Sequence, residues 1–108
     1  MSVLKIAYNN KQYELGFTRN TVVALDRNGF NIEDISSKPM TMLPMFWEGA
    51  FAAYNKGVKR SLMDEIYKNI RDKQGLIAAL TELYAETLNT LMDEPEDDKG
   101  NATWEIVR

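Results

Sequence analysis

The 108-residue chain contains no cysteine and no histidine. Without cysteine it cannot hold a disulfide framework, a thiolate nucleophile, an iron–sulfur cluster or a zinc–thiolate site. Without histidine it lacks the commonest general base of enzymes and the commonest ligand of transition metals. Both absences favour a binding protein over an enzyme.

Long apolar runs and phosphate-binding glycine motifs are also missing. The apolar runs fall far below the ~20 residues that a bilayer requires, and residues 1–5 do not resemble a signal peptide. The six glycines are isolated from one another, so neither a GxGxxG motif nor a Walker A loop is present. We therefore expect no membrane partner, no cofactor and a cytoplasmic location.

Composition and charge divide the chain into a body and a tail. Hydrophobic residues make up 44% and charged residues 27%, which are ordinary values for one globular domain. The formal net charge of -3 comes from an acidic run at residues 93–98, which contains a proline and favours a solvated, flexible tail. We predict a single domain at 1–92 and an acidic tail at 93–108. Because the body is close to neutral, we expect no nucleic-acid partner.

The first 17 residues have the pattern of a β-hairpin. Apolar residues alternate with polar or small ones at 3–8 and again at 12–17, and the asparagines between them suit a tight turn. A lone hairpin is marginally stable in water, so its apolar face must lie on helices.

Helical spacing of apolar residues predicts four helices, at about 18–28, 42–55, 61–71 and 74–93. Thr18, Thr41 and Ser61 are the predicted N-caps, and Gly29 followed by Phe30 has the form of a Schellman ending. Residues 31–40 are predicted to be a loop. The predicted fold class is α+β: an N-terminal antiparallel hairpin packed on about four helices, mostly helical, with an acidic flexible C-terminal tail.

Methionines and aromatic residues are concentrated in one stretch and suggest a surface for an apolar partner. The candidate partner-binding residues are Met40, Met42, Met45, Phe46, Trp47, Phe51 and Tyr54. At helical spacing such residues more often form a core, and the division between core and contact surface stays open. The apolar face of the last helix is the second candidate surface.

Because the chain has no cysteine and no histidine, the carboxylates of Asp and Glu are the side chains to consider for catalysis or metal binding. Glu82 and Glu86 stand at i, i+4, but a solvated helix face explains them as well as a hydrolase does. The run 93–98 lacks the spacing of a calcium-binding EF-hand loop. We predict no catalytic residues and no metal site.

The order of several short segments resembles a family of small phage and prophage proteins of Gram-positive bacteria that are similar to tail assembly chaperones. The segments are Thr18-Arg19-Asn20-Thr21-Val22, Asn28-Gly29-Phe30, Lys38-Pro39-Met40-Thr41-Met42, Phe46-Trp47-Glu48-Gly49-Ala50-Phe51, Asp64-Glu65-Ile66-Tyr67, Leu83-Tyr84 and Asp93-Glu94-Pro95. Members of that family often carry a histidine near Asn55, and we expect a packing or hydrogen-bonding role there that asparagine can fill.

The resemblance implies a chaperone that binds the tape measure protein and keeps it soluble in the host bacterial cytoplasm until the tail tube displaces it. Such a protein is absent from the mature virion. A frameshifted longer form would recruit tail tube protein. The acidic tail would suit the position at which the sequence of that longer form departs from this one. Whether the chain forms a homo-oligomer stays open.

A second hypothesis is a small phage-encoded inhibitor of a host defence protein that acts as an acidic nucleic-acid mimic. Deleting residues 93–108 should abolish that activity, whereas it should leave a chaperone partly functional.

Overall fold

A hairpin followed by four helices forms the fold in the computed structural model, which describes residues 2–92, 100 and 102–108. The elements are β1 (Leu4–Tyr8), β2 (Lys11–Leu15), α1 (Arg19–Arg27), α2 (Pro39–Ala52), α3 (Arg60–Asn69) and α4 (Lys73–Asn89), with a 3₁₀ turn at Ile32–Asp34 inside the predicted loop. The predicted α+β class, with its N-terminal hairpin and four helices, is confirmed. The acidic run at 93–98 lies outside the described residues.

The two strands pair in antiparallel register, with Ile6 opposite Tyr13. Asn9 and Asn10 both have positive φ angles, 48° and 64°, as a type I′ turn requires. The second strand ends before the predicted residue 17 because the backbone N–H of Gly16 leaves the hairpin and donates to the Ala50 carbonyl of α2, at 3.1 Å. The inner face of the hairpin therefore lies directly on α2.

Local capping explains both ends of α1, as predicted. The hydroxyl of Thr18 accepts from the backbone N–H of Thr21 at 3.2 Å, and the Thr21 hydroxyl accepts from the Thr18 N–H at 2.8 Å. At the other end, Gly29 has a φ of 89° and Phe30 donates to the Leu25 carbonyl at 2.9 Å. This is the Schellman arrangement, and it buries Phe30.

The helix α2 begins three residues before the predicted start at 42 and ends at Ala52. Pro39 occupies the first helical position, for which its fixed φ is suited, so Thr41 lies inside the helix instead of capping it. As a result Pro44 falls in the second turn, not in the first. Since proline has no N–H, the carbonyl of Met40 lacks its usual helical partner.

The last two helices also differ from their predicted bounds. Residue Ser61 lies inside α3, whose N-cap is Lys59. Helix α4 ends at Asn89, four residues short of the prediction, because the Thr90 hydroxyl donates to the Thr87 carbonyl at 2.6 Å and competes with the next helical bond. Beyond this end, the apolar side chains of Leu91 and Met92 are exposed.

Four aromatic rings form the centre of the core, which we call the inner aromatic cluster: Phe17, Phe30, Phe46 and Tyr84. The Phe46 ring stacks on Phe17 at 5.0 Å and on Phe30 at 5.3 Å between centroids, and Tyr84 of α4 meets all three rings edge-on. Burial, aided by the negative charge of Asp26, raises the pKa of Tyr84. The cluster therefore joins α2 and α4 to the segments that follow β2 and α1.

Candidate partner-binding groove

The structure divides the seven predicted partner-binding residues between core and surface. Met42, Phe46, Trp47 and Phe51 are buried. Met40 is 90% exposed, Tyr54 is 38% exposed, and Met45 is partly buried. The four buried side chains pack against the hairpin and the other helices, so a partner could touch them only at their margins.

The three accessible residues do not form one patch. Met40 and Met45 are separated by about 140° around the helix axis at 100° per residue. Met45 faces a depression beside α1, together with Leu25 and Glu48. Tyr54 lies beyond the end of α2, where its ring contacts Gly16 after β2. Of these three residues, Met40 alone borders the groove described next.

An apolar groove of about 320 Å³ runs between the first turns of α2 and helix α3. Its lining residues are Pro39, Met40, Leu43, Pro44, Trp47, Asp64, Tyr67 and Lys68. Met40, Leu43, Pro44 and Trp47 follow the i, i+3, i+4, i+7 spacing of one helix face, and this signal could have identified Leu43 and Pro44 from the sequence. Tyr67 comes from a different helix, and no local pattern pairs it with α2.

Trp47 makes the floor of the groove rigid. Its indole Nε1 donates to the backbone carbonyl of Met63 at 2.9 Å, which ties α2 to α3. Its ring meets Tyr67 edge-on at 5.3 Å and Phe51 at 5.4 Å between centroids. The Lys73 ammonium lies 5.5 Å from the centre of the Tyr67 ring and fixes that ring in turn. The groove is thus largely preformed.

The rim of the groove carries one charge of each sign. Asp64 and Lys68 are both exposed and stand four residues apart on α3. Within the described ranges the one ion pair joins Arg60 to Glu48 at 3.0 Å, so neither rim charge has an ionic partner there. An apolar floor with two unpaired rim charges suits an amphipathic segment, which can bury its apolar face and pair its charges at the edge.

The carboxylates of Glu82 and Glu86, weighed above as an alternative hydrolase pair, do not form an enclosed site. Glu82 is exposed, and the Glu86 carboxylate accepts a hydrogen bond from the backbone N–H of Ser2 at 2.8 Å. This bond stabilises the ionised form and lowers the pKa of Glu86. Among the residues that the structure describes, no group of three or more acidic side chains is placed to hold a metal ion.

Asn55 has the kind of role expected for it. Its amide Nδ2 donates to the Glu14 carbonyl at 2.6 Å and to the Phe51 carbonyl at 2.8 Å. The side chain therefore ties the end of α2 to β2, and it does so as a hydrogen-bond donor without any titratable group.

The fold and groove define a small α+β protein with a preformed apolar groove on its second helix. The chain belongs to the family described as Domain of unknown function (DUF5055), whose pattern matches residues 1–107. Neither the curated proteins nor the solved structures contain a match to this chain. No helix in the described part of the chain has the length and apolar character needed to cross a membrane.

Proposed function

We propose that this protein is a phage tail assembly chaperone that binds the tape measure protein and keeps it soluble while the tail is built. The groove between α2 and α3 is the binding surface, and an amphipathic helical segment of the partner is its ligand. The resemblance of the segments between Thr18 and Pro95 to tail assembly chaperones supplies the identity of the partner.

One observation carries the groove assignment, which is the uncovered apolar side of α2. No charged residue occurs from Pro39 to Trp47, and Met40 in this stretch is 90% exposed. A helix that is apolar on every side is normally buried on every side. Flexible methionine side chains also suit contact with varied apolar sequences, as a chaperone of a long chain requires.

The chemistry of the binding step follows from the groove. An apolar side chain of the partner would displace water from Leu43, Pro44 and the edge of Trp47. Asp64 and Lys68 would pair with charges on the polar face of the same segment. Each contact of this size is weak, and repetition of such contacts along a long partner would supply the retention. The tail tube would later compete for the same apolar segments, and a frameshifted longer form would bring tube protein to the complex.

The test is co-expression with the tape measure protein of the same phage or prophage, scored by the soluble fraction of that protein. We expect soluble recovery with the native chain and loss of most of it with Met40→Glu, which places a charge at the groove. The matched control is Met92→Glu, since Met92 is 83% exposed and lies beyond α4, away from the groove.

Three outcomes would contradict parts of this assignment. If the native chain recovers no soluble partner, the chaperone function is wrong. If Met92→Glu lowers recovery and Met40→Glu does not, the binding surface lies at the end of α4 and not in the groove. If a chain ending at residue 92 loses all activity, the acidic tail acts directly, as the inhibitor hypothesis requires.

A further inference from the structure

The hairpin has one open edge. Tyr8 and Lys11 flank the two-residue turn and form a hydrogen-bonded pair. From there along the register, non-hydrogen-bonded and hydrogen-bonded pairs alternate. By this alternation Lys5 and Ala7 direct their backbone N–H and C=O groups away from β2. Within the described residues no hydrogen bond reaches these four groups. An unpaired edge of this kind is a template for another strand.

The opposite edge, on β2, is covered in its C-terminal half. There the Glu14 carbonyl accepts from the Asn55 side chain at 2.6 Å, and the Gly16 N–H donates to the Ala50 carbonyl at 3.1 Å. Both groups face outward by the same alternation, and both lie at the C-terminal end of β2 or directly after it. The end of α2 thus blocks part of the β2 edge, and β1 is the edge that is open along its length.

The C-terminal segment 102–108 has the composition of a strand and no partner. It belongs to no helix or strand, and no hydrogen bond joins it to the rest of the described chain. Trp104, Ile106 and Val107 are 85%, 65% and 85% exposed. Aromatic and β-branched residues favour strands, and the period of two places Trp104 and Ile106 on one face with Glu105 on the other.

We propose that the open edge of β1 binds the C-terminal segment 102–108 of a second copy of this chain. If Glu105 pairs with Lys5, apolar side chains lie beside apolar ones on one face of the sheet, and opposite charges lie side by side on the other. Trp104 and Ile106 then lie beside the apolar side chains of Leu4 and Ile6, and they extend the inner face of the hairpin. On the outer face the Glu105 carboxylate meets the Lys5 ammonium. This match holds for either strand direction, because the period of two is the same in both.

A second copy is the occupant because each chain has one open edge and one strand-forming segment, and no hydrogen bond joins that segment to its own sheet within the described residues. Two copies can exchange segments reciprocally, so that both edges and both strands are paired. The second pairing then occurs within an existing complex at a high effective concentration. This contact uses neither the α2 groove nor its ligand, so it stands or fails independently of the proposed chaperone function.

Disulfide trapping tests the pairing, since the native chain has no cysteine to compete. Chains with Lys5→Cys and chains with Glu105→Cys are mixed, oxidised and separated without reductant. The matched control replaces Lys5→Cys with Glu14→Cys, which lies directly opposite residue 5 on the same face of the hairpin. That position is one strand further away, about 10 Å from the added strand, and a disulfide needs a Cβ separation of about 4 Å.

We expect the mixed disulfide with Lys5→Cys to exceed the control at least about tenfold. In sedimentation of the full chain, we expect Trp104→Ala to raise the dimer dissociation constant about tenfold or more, as for a central aromatic contact, with Val107→Ala causing a smaller change. Because these side chains are exposed in the single molecule, the helical circular dichroism should not change.

Three results would overturn the proposal. The first is equal disulfide yield from Lys5→Cys and Glu14→Cys. The second is a native chain that stays monomeric at every concentration. The third is a doubly substituted Lys5→Cys, Glu105→Cys chain that closes its disulfide within one chain only. That result would assign the edge to the segment of the same molecule.

Discussion

The two sides of α2 differ in what covers them, although both are apolar. On the inner side, Phe46 is fully buried by rings from three other parts of the chain. On the groove side, Met40 is 90% exposed and Leu43 is partly buried. The difference shows that one helix can carry the core of the fold on one side and leave apolar surface uncovered on the other. An apolar residue in α2 therefore has no fixed role until the neighbouring helices are placed.

The largest expected loss of stability comes from a substitution on the inner side of α2. Phe46→Ala removes a ring that stacks on two others, and we expect it to lower the free energy of unfolding by about 3–5 kcal/mol. Met40→Ala, on the groove side of the same helix, should change it by less than about 0.5 kcal/mol. Urea denaturation followed by circular dichroism measures both values. Similar losses for the two variants would mean that the two sides do not differ as described.

An intermediate effect is expected at Trp47, which belongs to both sides. Trp47→Phe keeps an aromatic ring in the core but removes the hydrogen bond to the Met63 carbonyl. We expect a loss of about 1–2 kcal/mol from that bond and the reduced packing. The same denaturation series measures it, with Tyr67→Phe as a control that keeps the ring contact. An unchanged stability would show that the indole N–H does not anchor α3 to α2.

The smallest expected effect on stability comes from the Ser2–Glu86 hydrogen bond, which lies away from both sides of α2. It shows how much a single surface contact contributes. The Ser2 N–H lowers the pKa of Glu86 below its ordinary value of 4.5, so the bond stabilises the fold above that pH. This contribution is lost as the pH falls through the lowered pKa. Below about pH 4.5 the melting temperature of the native chain should therefore approach that of Glu86→Gln.

Glu82→Gln is the control for this measurement, because Glu82 is exposed on the same helix one turn earlier. It should not reproduce the difference seen with Glu86→Gln above pH 4.5. If both variants behave alike, the Ser2 bond contributes nothing measurable to stability.

Local signals predicted most of the fold. Thr18, Gly29 and the two asparagines of the turn act through hydrogen bonds or φ angles of their own segments, and such signals can be found in a sequence. Helix α2 starts earlier than predicted because Pro39 begins it as the first helical residue, ahead of the predicted cap Thr41. Both are local start signals, and the chain uses the one that comes first.

The sequence predicts less of the groove than of the fold. It predicts a contact surface at 40–54, but its pattern cannot separate the buried members from the exposed ones. That separation depends on which side of α2 meets the hairpin and where α3 crosses it. Tyr67 and the rim charges Asp64 and Lys68 come from α3, and only the packing of two helices places them beside Met40.

The inner aromatic cluster also has a consequence for the synthesis of the chain. Its rings extend from Phe17 to Tyr84, and the Thr87 hydroxyl donates to the Phe17 carbonyl at 2.9 Å across 70 positions of sequence. At about 5–20 residues per second, the ribosome makes the α4 residues several seconds after Phe17. During that interval the hairpin and α2 have no α4 to close over them. The N-terminal two thirds of the nascent chain therefore expose the same kind of apolar surface that the finished protein is proposed to shield in its partner.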